Sequence, residues 1–93
     1  MAKRSEAYIV QFTDVALRNL RKYPSSDQRR ILARIEQLAV NPLEMPNVKR
    51  LVEHDVTYRL RIGRYRVLFD RDDVAQVIDI IDVLPRSRAY RRN

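Results

Sequence analysis

The sequence predicts an α+β fold: a strand, two antiparallel helices, then a three-stranded antiparallel meander, with the helices packed on one face of the sheet. Three observations carry that expectation. Apolar residues recur at helical spacing between Ala16 and Ala39, then at every second position in two runs, Tyr58, Leu60, Ile62 and Tyr65, Val67, Phe69. Gly63, the only glycine, falls between two alternating runs, where a hairpin turn is needed. The segments come as strand, helices, strands, an order that groups the helices on one side of a sheet. A chain of 93 residues has room for one such domain, spanning 1–93, and not for two.

Ala7 to Phe12 is rich in strand formers and reads as the first strand. Thr13 or Asp14 can cap the helix that follows, in which Ala16, Leu17, Leu20 and Tyr23 share a face until Pro24 stops it. Ser25 and Gln28 have the spacing of a capping box for a second helix. Its apolar stripe is Ile31, Leu32, Ile35, Leu38 and Ala39, with Arg29, Arg30, Arg34 and Glu36 facing elsewhere, and Asn41-Pro42 ends it. Leu43 to Asp55 has no clear period and reads as a loop. After the hairpin, Arg71-Asp72-Asp73 reads as a turn and Val74 to Leu84 as the last long strand.

Composition narrows the chemistry. Lys and Arg number 19 against 12 Asp and Glu, a net charge of +7 that points to a polyanion or an acidic protein segment as partner. Most of the excess is arginine, suited to planar contacts with phosphate or carboxylate. The absence of cysteine excludes disulfides and thiolate sites. The apolar stretch Ala7 to Val10 is too short for a signal peptide, and no run of about 20 apolar residues exists to span a membrane, so a cytoplasmic protein is expected. His54, the one histidine, reads as a surface loop residue. With scattered acids it offers no metal-ligand spacing, so neither metal nor cofactor is expected.

Function should be sought in Tyr58-Arg59-Leu60-Arg61-Ile62-Gly63-Arg64-Tyr65-Arg66-Val67. A two-residue turn at Gly63-Arg64 pairs Ile62 with Tyr65, Arg61 with Arg66 and Leu60 with Val67. Alternation then sends Tyr58, Leu60, Ile62, Tyr65, Val67 and Phe69 toward the helices, and Arg59, Arg61 and Arg66 to the other side. Like charges placed opposite one another cost some tenths of a kcal/mol, up to about 1, and a bound anion reverses the sign. The bland alternative is neutralisation by Asp70, Asp79 or Asp82. The tail, Arg86 to Arg92 with Tyr90, could fold over the same face or remain a solvated extension.

With these residues in view, the chain resembles the RelE/ParE superfamily of bacterial toxins over nearly its whole length. The resemblance rests on the strand and helices with Ala16, Leu17 and Leu20, the Asn41-Pro42 stop, the arginine hairpin, and Arg86 with Tyr90 and Arg91. It implies a RelE-like mRNA interferase that cuts mRNA, in the best-known members at the ribosome. It also implies a cognate antitoxin, here expected to be acidic, that binds the toxin in a hetero-oligomer. By resemblance, Arg59 and Arg61 hold the RNA backbone, Arg66 stabilises the scissile phosphate, Arg86 is a catalytic arginine, and Tyr90 lies close to the reacting groups. Pro85 departs from the pattern, since many relatives carry histidine there.

The expected site is therefore Arg66, Arg86, Tyr90 and Arg61 as catalytic residues, with Arg59, Arg61, Lys49 and Arg64 binding RNA. Lys49 and Arg50 fit equally well as solvated charges. The alternative is a ParE-like toxin that poisons DNA gyrase by protein binding without nuclease activity. A third reading is an inactive relative that serves only as an interaction module.

Overall fold

The computed structural model describes residues 7–51 and 58–86; His54 and Tyr90 lie outside them. Seven elements follow in order: β1 (Ile9–Phe12), α1 (Asp14–Arg21), α2 (Ser25–Val40), β2 (Val48–Arg50), β3 (Tyr58–Ile62), β4 (Tyr65–Asp72) and β5 (Val77–Pro85). The strands form one sheet in the order β1-β5-β4-β3-β2. β1 runs parallel to β5, and every other pair is antiparallel. The expected α+β architecture is present, with one strand more than the sequence suggested.

Local chemistry sets the helix ends. Thr13 is extended (φ −73, ψ 163), and its Oγ1 accepts from the Ala16 amide at 3.0 Å. The same hydroxyl donates to Ile81 O at 2.7 Å, fastening the start of α1 to β5. The capping box expected at Ser25 does not form. Ser25 is already helical, and the capping position belongs to Pro24, which has no N–H for Gln28 to receive. Gln28 Nε2 instead donates to Tyr23 O at 2.8 Å, in the link between the helices. Asn41 does end α2, its amide donating to Gln37 O.

The helices cover the sheet with Ala16, Leu20, Ile31, Ile35, Leu38 and Ala39. Opposite them lie Leu60, Ile62, Tyr65, Val67, Phe69, Ile78, Ile80 and Val83, all buried. Leu32, assigned to the apolar stripe from sequence, is 40% exposed. It follows Ile31 by one residue, about 100° further round the helix, and leaves the buried face. Among the described residues, no helix is long and apolar enough to cross a membrane.

Strand boundaries differ from expectation at β2 and around the β4–β5 turn, where Arg71 and Asp72, expected to turn, still belong to β4 and pair with Ile78 and Val77. Val48–Arg50, inside the expected loop, pairs with β3 as the edge strand β2. Three residues are too few to display alternation, and pairing with β3 decides their conformation. The last strand starts at Val77 rather than Val74. Asp72 Oδ1 accepts from the Val74 and Ala75 amides at 3.0 and 2.9 Å, and Gln76 is left-handed at φ 60. That side-chain-bonded turn claims Val74, which is 96% exposed.

Candidate nucleic-acid interface

The β3–β4 hairpin has the register that its alternation predicts. Ile62 pairs with Tyr65, Arg61 with Arg66 and Leu60 with Val67. Gly63 takes φ 56 in the turn, a conformation costly to a residue with a Cβ. Because Leu60, Ile62, Val67 and Phe69 are buried beneath the helices, Arg59, Arg61 and Arg66 belong to the opposite face. β2 extends that face, since Lys49 pairs with Arg59. On the other side Leu68 pairs with Arg59 and Leu84 with Arg66, giving half-buried apolar side chains beside the basic ones.

The arginines differ in exposure. Arg61 and Lys49 are exposed and Arg59 is half-buried, whereas Arg66 is 1% exposed. Arg66 Nη1 donates to Tyr65 O at 3.0 Å and lies 3.5 Å from Gly63 O, so its guanidinium is anchored at the turn end of the hairpin. Burial of a cation is tolerated where polar partners replace water. The sequence places Arg66 on this face but gives no sign that it is held inside the surface.

Arg64 and Arg86 meet at the same end. Arg64 is the exposed second residue of the turn, and the Arg86 amide donates to Arg64 O. That bond continues the β4–β5 pairing past Tyr65 and Pro85 and brings the exposed Arg86 beside the hairpin turn. A further guanidinium approaches from α2. Arg30 Nη2 is 2.7 Å from the position a Cβ would take on Gly63. The structure thus gathers Arg61, Arg64, Arg66 and Arg86 around one turn, with Arg59 and Lys49 in the adjoining row. Tyr90 is outside the described residues.

The opposite end of β4 has the opposite character. Asp70 pairs with Asp79, and these two line a shallow depression with Arg71, Asp72 and Asp73. Arg71 Nε pairs with Asp73 at 2.8 Å, and its guanidinium lies 4.5 Å from the centre of the Tyr58 ring. Asp82, a candidate neutraliser of the basic face, accepts from Asn19 Nδ2 at 2.7 Å and from the Val83 amide at 2.8 Å. Among the described residues, no three or more His, Cys, Asp or Glu side chains are grouped to hold a metal ion. Arginine keeps its proton at any ordinary pH, so this basic end can bind and stabilise negative charge but cannot act as a base.

Comparison with known proteins agrees with this architecture. Residues 10–90 match the family described as the ParE toxin of the type II toxin–antitoxin system parDE. Toxin RelG of Mycobacterium tuberculosis is 35% identical over 89 residues, covering 91% of this chain and 98% of the relative. The crystal structure of the toxin–antitoxin complex RelBE2 from the same organism matches with a TM-score of 0.75 at 30% identity, covering 86% of this chain and 99% of the matched one. The archaeal RelE–RelB complex of Pyrococcus horikoshii matches with a TM-score of 0.76 at 29% identity, covering 88% and 98%. The chain belongs to the ParE toxin family, within the RelE/ParE superfamily, and is a toxin of a type II toxin–antitoxin system.

Proposed function

We propose that the protein is a metal-independent endoribonuclease that cleaves mRNA at the ribosome and is silenced by an acidic antitoxin in a hetero-oligomer. The observation that carries this reading is the convergence of Arg61, Arg64, Arg66 and Arg86 on the helix-free side and turn of one hairpin. Similarity to toxins crystallised with their antitoxins supports the partner, and the basic charge of the chain favours an acidic one.

In the proposed reaction the 2′-hydroxyl oxygen attacks the adjacent phosphorus. The bond from phosphorus to the 5′-oxygen breaks, leaving a 2′,3′-cyclic phosphate and a 5′-hydroxyl end. The proton lost from the 2′-hydroxyl is balanced by the one gained on the 5′-oxygen. Arg59, Arg61, Lys49 and Arg64 align the backbone, which makes the attack intramolecular in a fixed geometry. The exposed Arg86 meets the charge that builds on the phosphoryl oxygens, and Arg66, its guanidinium held beneath the surface at the turn, stabilises that charge from behind. Tyr90 supplies base stacking or proton transfer, in keeping with the place near the reacting groups that the family resemblance implies for it.

Arg61→Ala and Arg86→Ala test the proposal well, because both side chains are exposed and their loss leaves the core intact. Purified variants and wild type are incubated with ribosomes and mRNA, with thermal unfolding measured in parallel. The expected result is wild-type cleavage and a rate lower by about 10²–10³ for Arg86→Ala, at unchanged melting temperature. Equal rates would contradict the assignment. The match to the ParE family supports a second reading, in which the same fold poisons DNA gyrase by protein binding. Inhibition of supercoiling by a wild-type protein that leaves mRNA intact would establish that reading instead.

A further inference from the structure

The hairpin turn is approached by a guanidinium from the helical layer. Gly63 leaves open the space that a side chain would fill, and Arg30 Nη2 comes within 2.7 Å of that Cβ position. Arg30 is exposed on α2, yet it reaches the same turn whose Gly63 carbonyl lies 3.5 Å from Arg66 Nη1. Arg64 and Arg86 adjoin the turn as well. Among the described residues, no carboxylate forms an ion pair with Arg30, Arg64 or Arg86. Arg30, Arg64 and Arg86 are exposed residues placed at one turn, and with the Asp27 carboxylate engaged by the Tyr65 hydroxyl the local excess of positive charge favours a bound anion.

The charge along β4 gives the anion a direction. Arg66 and Asp70 are four residues apart, about 13 Å along a strand. That exceeds the roughly 8 Å screening length at physiological salt, so at the turn the acidic end weakens the attraction of the arginines little. A polyanion on the helix-free face is therefore drawn toward the Gly63 end of the hairpin rather than the end where Asp70 pairs with Asp79.

We infer that Arg30 is an additional RNA-positioning residue, and that the bound strand passes from the sheet face over the β3–β4 turn so that a flanking phosphate meets Arg30. The inference rests on the RNA-cutting reading and adds the route of the strand. Gly63 then has two roles: it makes the turn, and it leaves room for a helix guanidinium at the rim of the site.

The test measures binding of a short RNA carrying 2′-O-methyl groups, which cannot be cut, to the full chain between about 50 and 200 mM salt. One phosphate contact in a single strand contributes about 0.7 to the slope of log affinity against log salt. Arg30→Gln should reduce the slope by that amount, so that its affinity deficit is about threefold smaller at the upper salt concentration. Arg30→Lys should restore the slope. Arg34→Gln, which removes an equal charge one turn along α2 where Arg34 Nη1 donates to Gln37 Oε1, should leave it unchanged. A wild-type slope in Arg30→Gln, with or without a lower melting temperature, overturns the inference, as does an equal loss in Arg34→Gln. A wild-type protein with no salt-dependent RNA binding overturns the underlying reading and the inference together.

Discussion

Tyr65 and Arg66 are sequence neighbours on opposite faces of β4, and both are buried. Tyr65 packs against Tyr23, ring centres 4.7 Å apart, and donates its hydroxyl to Asp27 Oδ2 at 2.6 Å, pinning the first turn of α2 over the hairpin. The bond to Asp27, and secondarily burial, raises the Tyr65 pKa above its ordinary 10.0. The folded state therefore holds this proton more tightly than the unfolded chain does. Its stabilising effect is complete below pH 10.0 and is lost as pH rises through the higher folded value. Tyr65→Phe should lower stability by about 1 kcal/mol at pH 7. In denaturant titrations its decline above pH 10.0 should be shallower than that of wild type, and an equally steep decline would contradict the assignment. Arg66 shows what sequence cannot supply at this scale. Alternation assigns its face, but only the packed turn shows that its guanidinium is anchored by backbone carbonyls. Arg66→Ala thus mixes a chemical loss with a structural one, and the exposed Arg61 and Arg86 give the cleaner tests.

At the scale of elements, the hairpin was fully legible because two independent signals agree: period-two alternation and a lone glycine at the reversal. Strand β2 and the start of β5 were not, for different reasons. Val48–Arg50 is held by its partner strand rather than by its own pattern. Val74 and Ala75 look like strand residues but are captured by the Asp72 carboxylate, a bond that hydropathy cannot register. The failed capping box at Ser25 has the same lesson, since the motif spacing was right and Pro24 occupied the capping position. Gly63→Ala tests the hairpin as an element. Its φ of 56 is strained for alanine, and the new methyl group must displace Arg30 Nη2. The arginine end is flexible and can move, so the backbone dominates, with a loss of about 1–2 kcal/mol. Urea unfolding should show a lower midpoint with an unchanged slope; an unshifted midpoint would mean that the turn tolerates alanine.

Across the whole molecule, helices seal one side of the sheet and leave the other side to charge. The Asp70 and Asp79 end and the Gly63 end are held at opposite ends of β4, so the net charge of +7 has a spatial organisation that composition alone cannot express. Sequence singled out Arg59, Arg61, Arg64, Arg66 and Arg86 for this end of the sheet but gave no reason to add Arg30, because helix periodicity marks it only as outward-facing. Its approach to Gly63 depends on how α2 lies across the hairpin. The central claim is that these arginines hold a ribonucleotide link while its own 2′-hydroxyl breaks it. The most direct measurement is cleavage, with ribosomes present, of an mRNA carrying a single 2′-O-methyl group at the position cut in the unmodified message. The account predicts that the unmodified link yields 2′,3′-cyclic phosphate and 5′-hydroxyl ends, and that the methylated link stays intact. Cutting of the methylated link at the unmodified rate would contradict it.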